Sequence, residues 1–192
     1  LFLNYFYELH STDIREVLET KDYSSRKEGW KLVDLFLREL ALAKLDNVGQ
    51  RSGSKEDAAE AKARKKREKN RAKDLIKAYS DIIWEFPYDL EAKAFSVNRL
   101  WLNDRLGVKI SGRQANEAIL QQVFEEKPDH PAHHYRIHLW DQDENAERVV
   151  DSAIAIGPSM PTVAHMWHMS GHIFSRLGRH SDAAWQQEAS AR

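Results

Sequence analysis

Apolar residues along this chain recur at helical spacing almost wherever they cluster. In "WKLVDLFLRELALAKL", Trp30, Val33, Leu37, Leu40 and Leu45 come at steps of three to five and fall broadly on one side of a helix. Ser24 or Ser25 can cap that helix, and Asn47–Gly49 can stop it. Helices are therefore expected at about residues 1–20 and 26–46. No alternating Val/Ile/Thr run argues for a strand, and Gly and Pro are sparse.

The pattern breaks at residues 50–73. "RSGSKEDAAEAKARKKREKNRAKD" has almost no large apolar group, and Lys and Arg are dense from Lys62 to Lys73. A basic run of this kind can hold nucleic acid or anionic lipid. Here Glu56, Asp57, Glu60 and Glu68 offset part of the charge, and no aromatic residue interleaves for base stacking. A solvated helix or a connector is the expectation, with no nucleic-acid partner.

From residue 74 a plan repeats. "DIIWEFPYDLEA", "QQVFEEKPDHPA" and "DSAIAIGPSMPTVA" each read as a helix end, a proline, a polar turn and an alanine opening the next helix. Pro87, Pro128 and Pro158, expected to close these helices, lie 41 and 30 residues apart. Periods in this range mark arrays of helical hairpins, in which each hairpin buries its apolar face on its neighbour. The expected organisation is residues 1–49 as N-terminal helices beginning the array or packing on it, 50–73 as charged helix or connector, and 74–192 as repeats.

The last copy, "AHMWHMSGHIFSRLGRHSDAAW", resembles a tetratricopeptide repeat. With Ala164 as first position, Trp167, Gly171, Phe174, Gly178 and Ala183 fall at the aromatic and small positions of that family. Ser170 and His180 depart from it. The copy before it begins at His130; it keeps Trp140 and Pro161 but lacks the glycines. "HHYRIHLWD…HMWHMSGHIFSRLG" also looks like a group of bacterial tetratricopeptide-like proteins with a similar histidine pattern. The resemblance covers about half of the chain and leaves residues 1–70 unexplained. It implies an all-α, right-handed solenoid of antiparallel helical hairpins, with the first helix of each hairpin lining a concave groove. It assigns His165, His168, His172, Ser175 and Arg176 to that groove, and from the earlier copy Pro131, His134, His138, Asp141 and Gln142.

Helix geometry reaches the same grouping alone. At about 100° per residue, His165, His168 and His172 share one face, as do His134, His138 and Asp141. Trp167 is expected to fill the seam between helices, where its loss would cost about 3–5 kcal/mol, whereas loss of His168 should leave the fold largely intact. His10, His130, His133 and His180 fall outside the face.

Composition narrows the chemistry. With no cysteine, there are no disulfides, thiolate ligands or cysteine nucleophiles. The net charge of -1 gives no global attraction for polyanions, and six tryptophans suit tightly packed helices. No apolar run reaches the roughly 20 residues of a membrane span. "LFLNYFYELH" is short, has no basic flank and carries Glu8, so it lacks signal-peptide character. A soluble chain is expected. A start at Leu1 and an end inside a helical pattern read as a processed chain or a fragment.

Two functions follow for the histidine face. One is an interaction module whose groove takes a protein or peptide partner, with Arg176 pairing an anion at the rim. The other is a transition-metal site on His134, His138, Asp141, His165, His168 and His172, since imidazoles with a carboxylate suit zinc, iron or copper. His134-x3-His138 is a chelating spacing, but Tyr135 stands where a zincin glutamate would be, and no phosphate loop, nucleophile elbow or dinucleotide fingerprint points to an enzyme. Catalysis would have to come from a metal-bound water or a His–Asp pair.

Overall fold

A computed structural model describes Leu35 and residues 58–108, 112–142 and 144–191. Among them every regular element is helical. In chain order these are α1 (Ala58–Glu85), α2 (Leu90–Arg105), α3 (Arg113–Glu126), α4 (His133–Trp140), a 3-10 turn (Ala146–Val149), α5 (Val150–Ser159), α6 (Ala164–Arg176) and α7 (His180–Ser190). The helices expected at 1–20 and 26–46 lie outside the described residues, apart from Leu35, which is helical and buried beside Tyr79 and Ile82. None of the described helices is long and apolar enough to cross a membrane.

The basic run is helical from Ala58 onward, and α1 continues without a break across residues 73 and 74 to Glu85. Its polar half faces solvent with Arg64 and Glu68 paired one turn apart at 2.8 Å, while its later half buries Tyr79 and Ile82. Pairs at this spacing support a helix that has little apolar face of its own.

Proline closes two of the three predicted helix ends. Pro87 and Pro128 stand just past α1 and α3. Pro158 corrects the expectation, because it lies inside the last turn of α5, which runs to Ser159. The N–H that proline lacks would have served the carbonyl of Ile154, a residue 59% exposed, so water can take that place. Sharper stops come from glycine. At Gly178 (φ 69°), the N–H of Arg179 reaches Phe174 O at 2.9 Å and that of Gly178 reaches Ser175 O at 3.1 Å, the paired bonds of a Schellman ending. Gly107 ends α2 in the same way.

Each helix packs on its chain neighbours, and the alternate helices α2, α4 and α6 also touch in series. The core follows the chain as three successive apolar clusters, from α1 and α2, through Val97, Leu120 and Val123, to the large cluster of α4–α7 around Ile137, Ile156, Met169 and Ile173. Fully buried seam positions of α6 are Met166, Met169 and Ile173. Trp167, expected among them, is only half-buried; its indole packs on Gly157 and edge-on to the exposed Trp185, and it donates to Pro161 O at 3.0 Å.

α4 is buried almost all round, although three of its eight residues are histidines and one is arginine. Such a helix is tolerable only if its polar groups find partners. Arg136 does so completely. It donates to Glu117 Oε1 (2.8 Å) from α3, to both oxygens of Asp151 (2.7 Å) and Ser152 Oγ (2.9 Å) from α5, and to Arg148 O (3.0 Å). Trp140 donates to the other oxygen of Glu117 at 3.0 Å. This knot fixes α4 between α3 and α5, and with it the site that α4 shares with α6.

Candidate metal centre

The five histidines expected on one face form a continuous file across the contact of α4 with α6. Trp101 of α2 heads it, stacked on His138 with ring centroids 4.0 Å apart. From His138 the centroids step 4.7 Å to His134, 4.9 Å to His165, 5.8 Å to His168 and 4.8 Å to His172. Helical spacing explains the steps within each helix. The step between helices, with His134 Nε2 and His165 Nε2 at 3.2 Å, arises because α4 and α6 lie side by side.

Three members converge. One ring nitrogen from each of His134, His138 and His165 lies within 4.8 Å of the others. His134 is 7% exposed and the other two are half-buried. Burial, with the nearby His168 and His172, pushes the pKa of His165 down to about 4, so the ring is neutral and can offer a lone pair at ordinary pH. Burial likewise lowers His172, which Asp141 partly offsets by raising it.

His168 and His172 form the outer end, with their Nε2 atoms 3.0 Å apart. Gln187 of α7 sets the tautomer of His168. Its amide nitrogen donates to His168 O at 3.3 Å, so its oxygen must accept from His168 Nδ1, 2.7 Å away. The lone pair of His168 is therefore on Nε2, facing His172. Gly171 makes this possible, because a side chain there would collide with the Gln187 amide.

The remaining expected residues surround the file. Asp141 follows the end of α4 and puts Oδ2 3.9 Å from His138 Nδ1. Arg176 is exposed one turn beyond His172, near enough for its charge to lower that ring's pKa. Ser175 and Gln142 are exposed, and Pro131 is half-buried.

Two histidines left outside the face have defined work in the fold. His130 Nδ1 accepts from Ala132 N at 3.0 Å, so Nε2 carries the proton and donates to Glu91 at 3.1 Å. His133 stacks on Phe124 at 4.1 Å, donates from Nε2 to Pro128 O at 2.8 Å, and accepts from Ser152 at 2.9 Å. Burial lowers its pKa, in keeping with a neutral ring. Sequence reasoning missed Gln187, since α7 carries no marked motif, and assigned Trp101 no place beside the histidines. Compared with protein-family models and with curated proteins, the chain finds no match.

Proposed function

We propose that this chain is a tetratricopeptide-like array of helical hairpins, wound as a right-handed solenoid, whose histidine-lined seam binds a transition metal: zinc, iron or copper. The series of contacts between α2, α4 and α6, with the other helices alternating between them, supports the array.

The convergence of His134, His138 and His165 carries the metal reading. Nitrogen ligands on tetrahedral zinc, with bonds of about 2.0–2.1 Å, stand about 3.3 Å apart. The 3.2 Å between His134 and His165 matches one edge of such a polyhedron before any ion enters. Neutral imidazoles that face one another at the edge of an apolar core gain most from a cation between them. The test is elemental analysis of tag-free protein, as purified and after loading with zinc, iron or copper. Stoichiometric metal, at least one equivalent of which is lost on His165→Ala, is expected. No metal under any loading overturns the reading.

A second reading, a groove for a protein or peptide partner, draws support from the exposure of His172, Ser175 and Arg176 along one side of α6. It predicts that metal-free protein binds peptides through a terminal or side-chain carboxylate, and that Arg176→Ala weakens them. The metal reading stands ahead of it because the inner imidazoles engage one another rather than opening to solvent.

A further inference from the structure

We infer that the histidine file holds two ions: one among His134, His138 and His165, and a second, solvent-open one on His168 and His172. This rests on the metal reading above and adds to it a stoichiometry and a division of roles.

The file itself divides. Its nitrogens meet in two places, at 3.2 Å between His134 and His165 and at 3.0 Å between His168 and His172. The widest step in the file, 5.8 Å from His165 to His168, separates the two. Each meeting point has the ligand-to-ligand spacing of a coordination edge, about 3 Å.

The outer pair is prepared as a ligand pair. Gln187 holds the proton of His168 on Nδ1 and so leaves Nε2 as the donor atom, the arrangement that an outer-shell partner imposes on a metal-bound histidine. Without an ion, His172 donates its Nε2 proton to that lone pair. With one, His172 moves the proton to Nδ1, and both Nε2 lone pairs point at the cation. The exchange needs no movement of the helix, because both residues sit on α6 one turn apart.

Asp141 lies on the inner side, with Oδ2 3.9 Å from His138 Nδ1. The inner ion has three imidazoles in a largely buried setting. The outer ion has two imidazoles, and His172 is exposed, so water fills its remaining positions. The inner position is therefore the tight one and the outer position the exchangeable one.

The experiment is a zinc titration of the tag-free full chain, stripped with chelator, against a chromophoric competitor, with elemental analysis after dialysis. Two equivalents of unequal affinity are expected. His172→Ala, at an exposed position, should leave one. Gln187→Ala should keep both but weaken the second about 10–100-fold, and Asp141→Asn should weaken the inner one alone. His180→Ala should change nothing. Circular dichroism of each variant checks that its helices are intact. A single equivalent that His172→Ala does not disturb overturns the second position and leaves the inner one standing. A single equivalent lost on His172→Ala but kept on His165→Ala overturns both assignments, because the ion then sits on the outer pair alone. No bound zinc overturns the metal reading, and this inference falls with it.

Discussion

The indole of Trp167 rests directly on Gly157, so that α5 and α6 meet where one has no side chain at all; a methyl group added at Gly157 would collide with Cδ2, Cε3 and Cζ3 of the ring. Alanine in place of a helical glycine normally stabilises by about 1 kcal/mol. Here the sign should reverse. Gly157→Ala is expected to cost about 1–3 kcal/mol through overpacking, read as a lower urea midpoint. Trp167→Ala should cost about 1–3 kcal/mol, less than loss of a core aromatic, because the ring is half-buried. The double variant should lose less than the sum, since without the indole the new methyl group has room.

Ser170 gives the opposite sign. It is fully buried in α6, and its hydroxyl has no hydrogen-bond partner among the described residues. A buried hydroxyl without a partner carries a penalty of about 1–3 kcal/mol, and alanine is the better helix former. Ser170→Ala should therefore raise the urea midpoint by an amount worth about 1 kcal/mol at an unchanged slope. A lower midpoint would show that the hydroxyl is satisfied in solution.

Arg136 should prove the most sensitive polar position. Its guanidinium holds together α3, α4 and α5, and Arg136→Met would leave Glu117 with only the indole of Trp140 from this group. Arg136 is buried but the carboxylates it leaves behind reach solvent, so the loss should be about 2–3 kcal/mol, below the cost for a fully buried pair. Since α4 carries His134 and His138, the same variant should also weaken metal binding. Equilibrium unfolding and zinc titration of one preparation measure both effects.

The pH dependence of the metal-free protein follows from the imidazoles. Burial lowers the pKa of His133, His165 and His172, the second to about 4 from the usual 6.5. Between those values the unfolded chain takes up protons that the folded chain refuses, so stability is complete above pH 6.5 and falls as pH drops toward 4. For a chain of this size each kcal/mol lost lowers Tm by about 2–4 °C. Thermal unfolding from pH 7.5 to 4 should trace that decline, and His165→Gln should flatten it. Bound zinc should steepen it, because protons compete for the same nitrogens.

The helices after residue 74, and the sharing of a face by His165, His168 and His172, were legible because both follow from apolar and polar periodicity within a single helix. The neighbourhood of His134 and His165 needed the repeat register as well, since nothing local to either segment brings them to 3.2 Å. What stayed hidden depends on residues far apart in the chain. Glu117, Arg136 and Asp151 come from three helices with no common spacing, and Gln187 reaches His168 only because Gly171 leaves room. Pro158 misled because a proline in the last turn of a helix looks, in sequence, like one just past its end. His130 and His133 fell outside the periodic face, yet each ring is held at both nitrogens.

Trp101 lies parallel to His138, 4.0 Å away and 17° from coplanar. An excited indole at that distance is in electronic contact with whatever its neighbour coordinates. Copper or cobalt entering the inner position should quench the emission of this tryptophan most strongly, while zinc should shift its spectrum without quenching. With Trp101→Phe a large part of that quenching should be lost. The stack that closes one end of the histidine file thus also makes the protein a fluorescent reporter of its own occupancy.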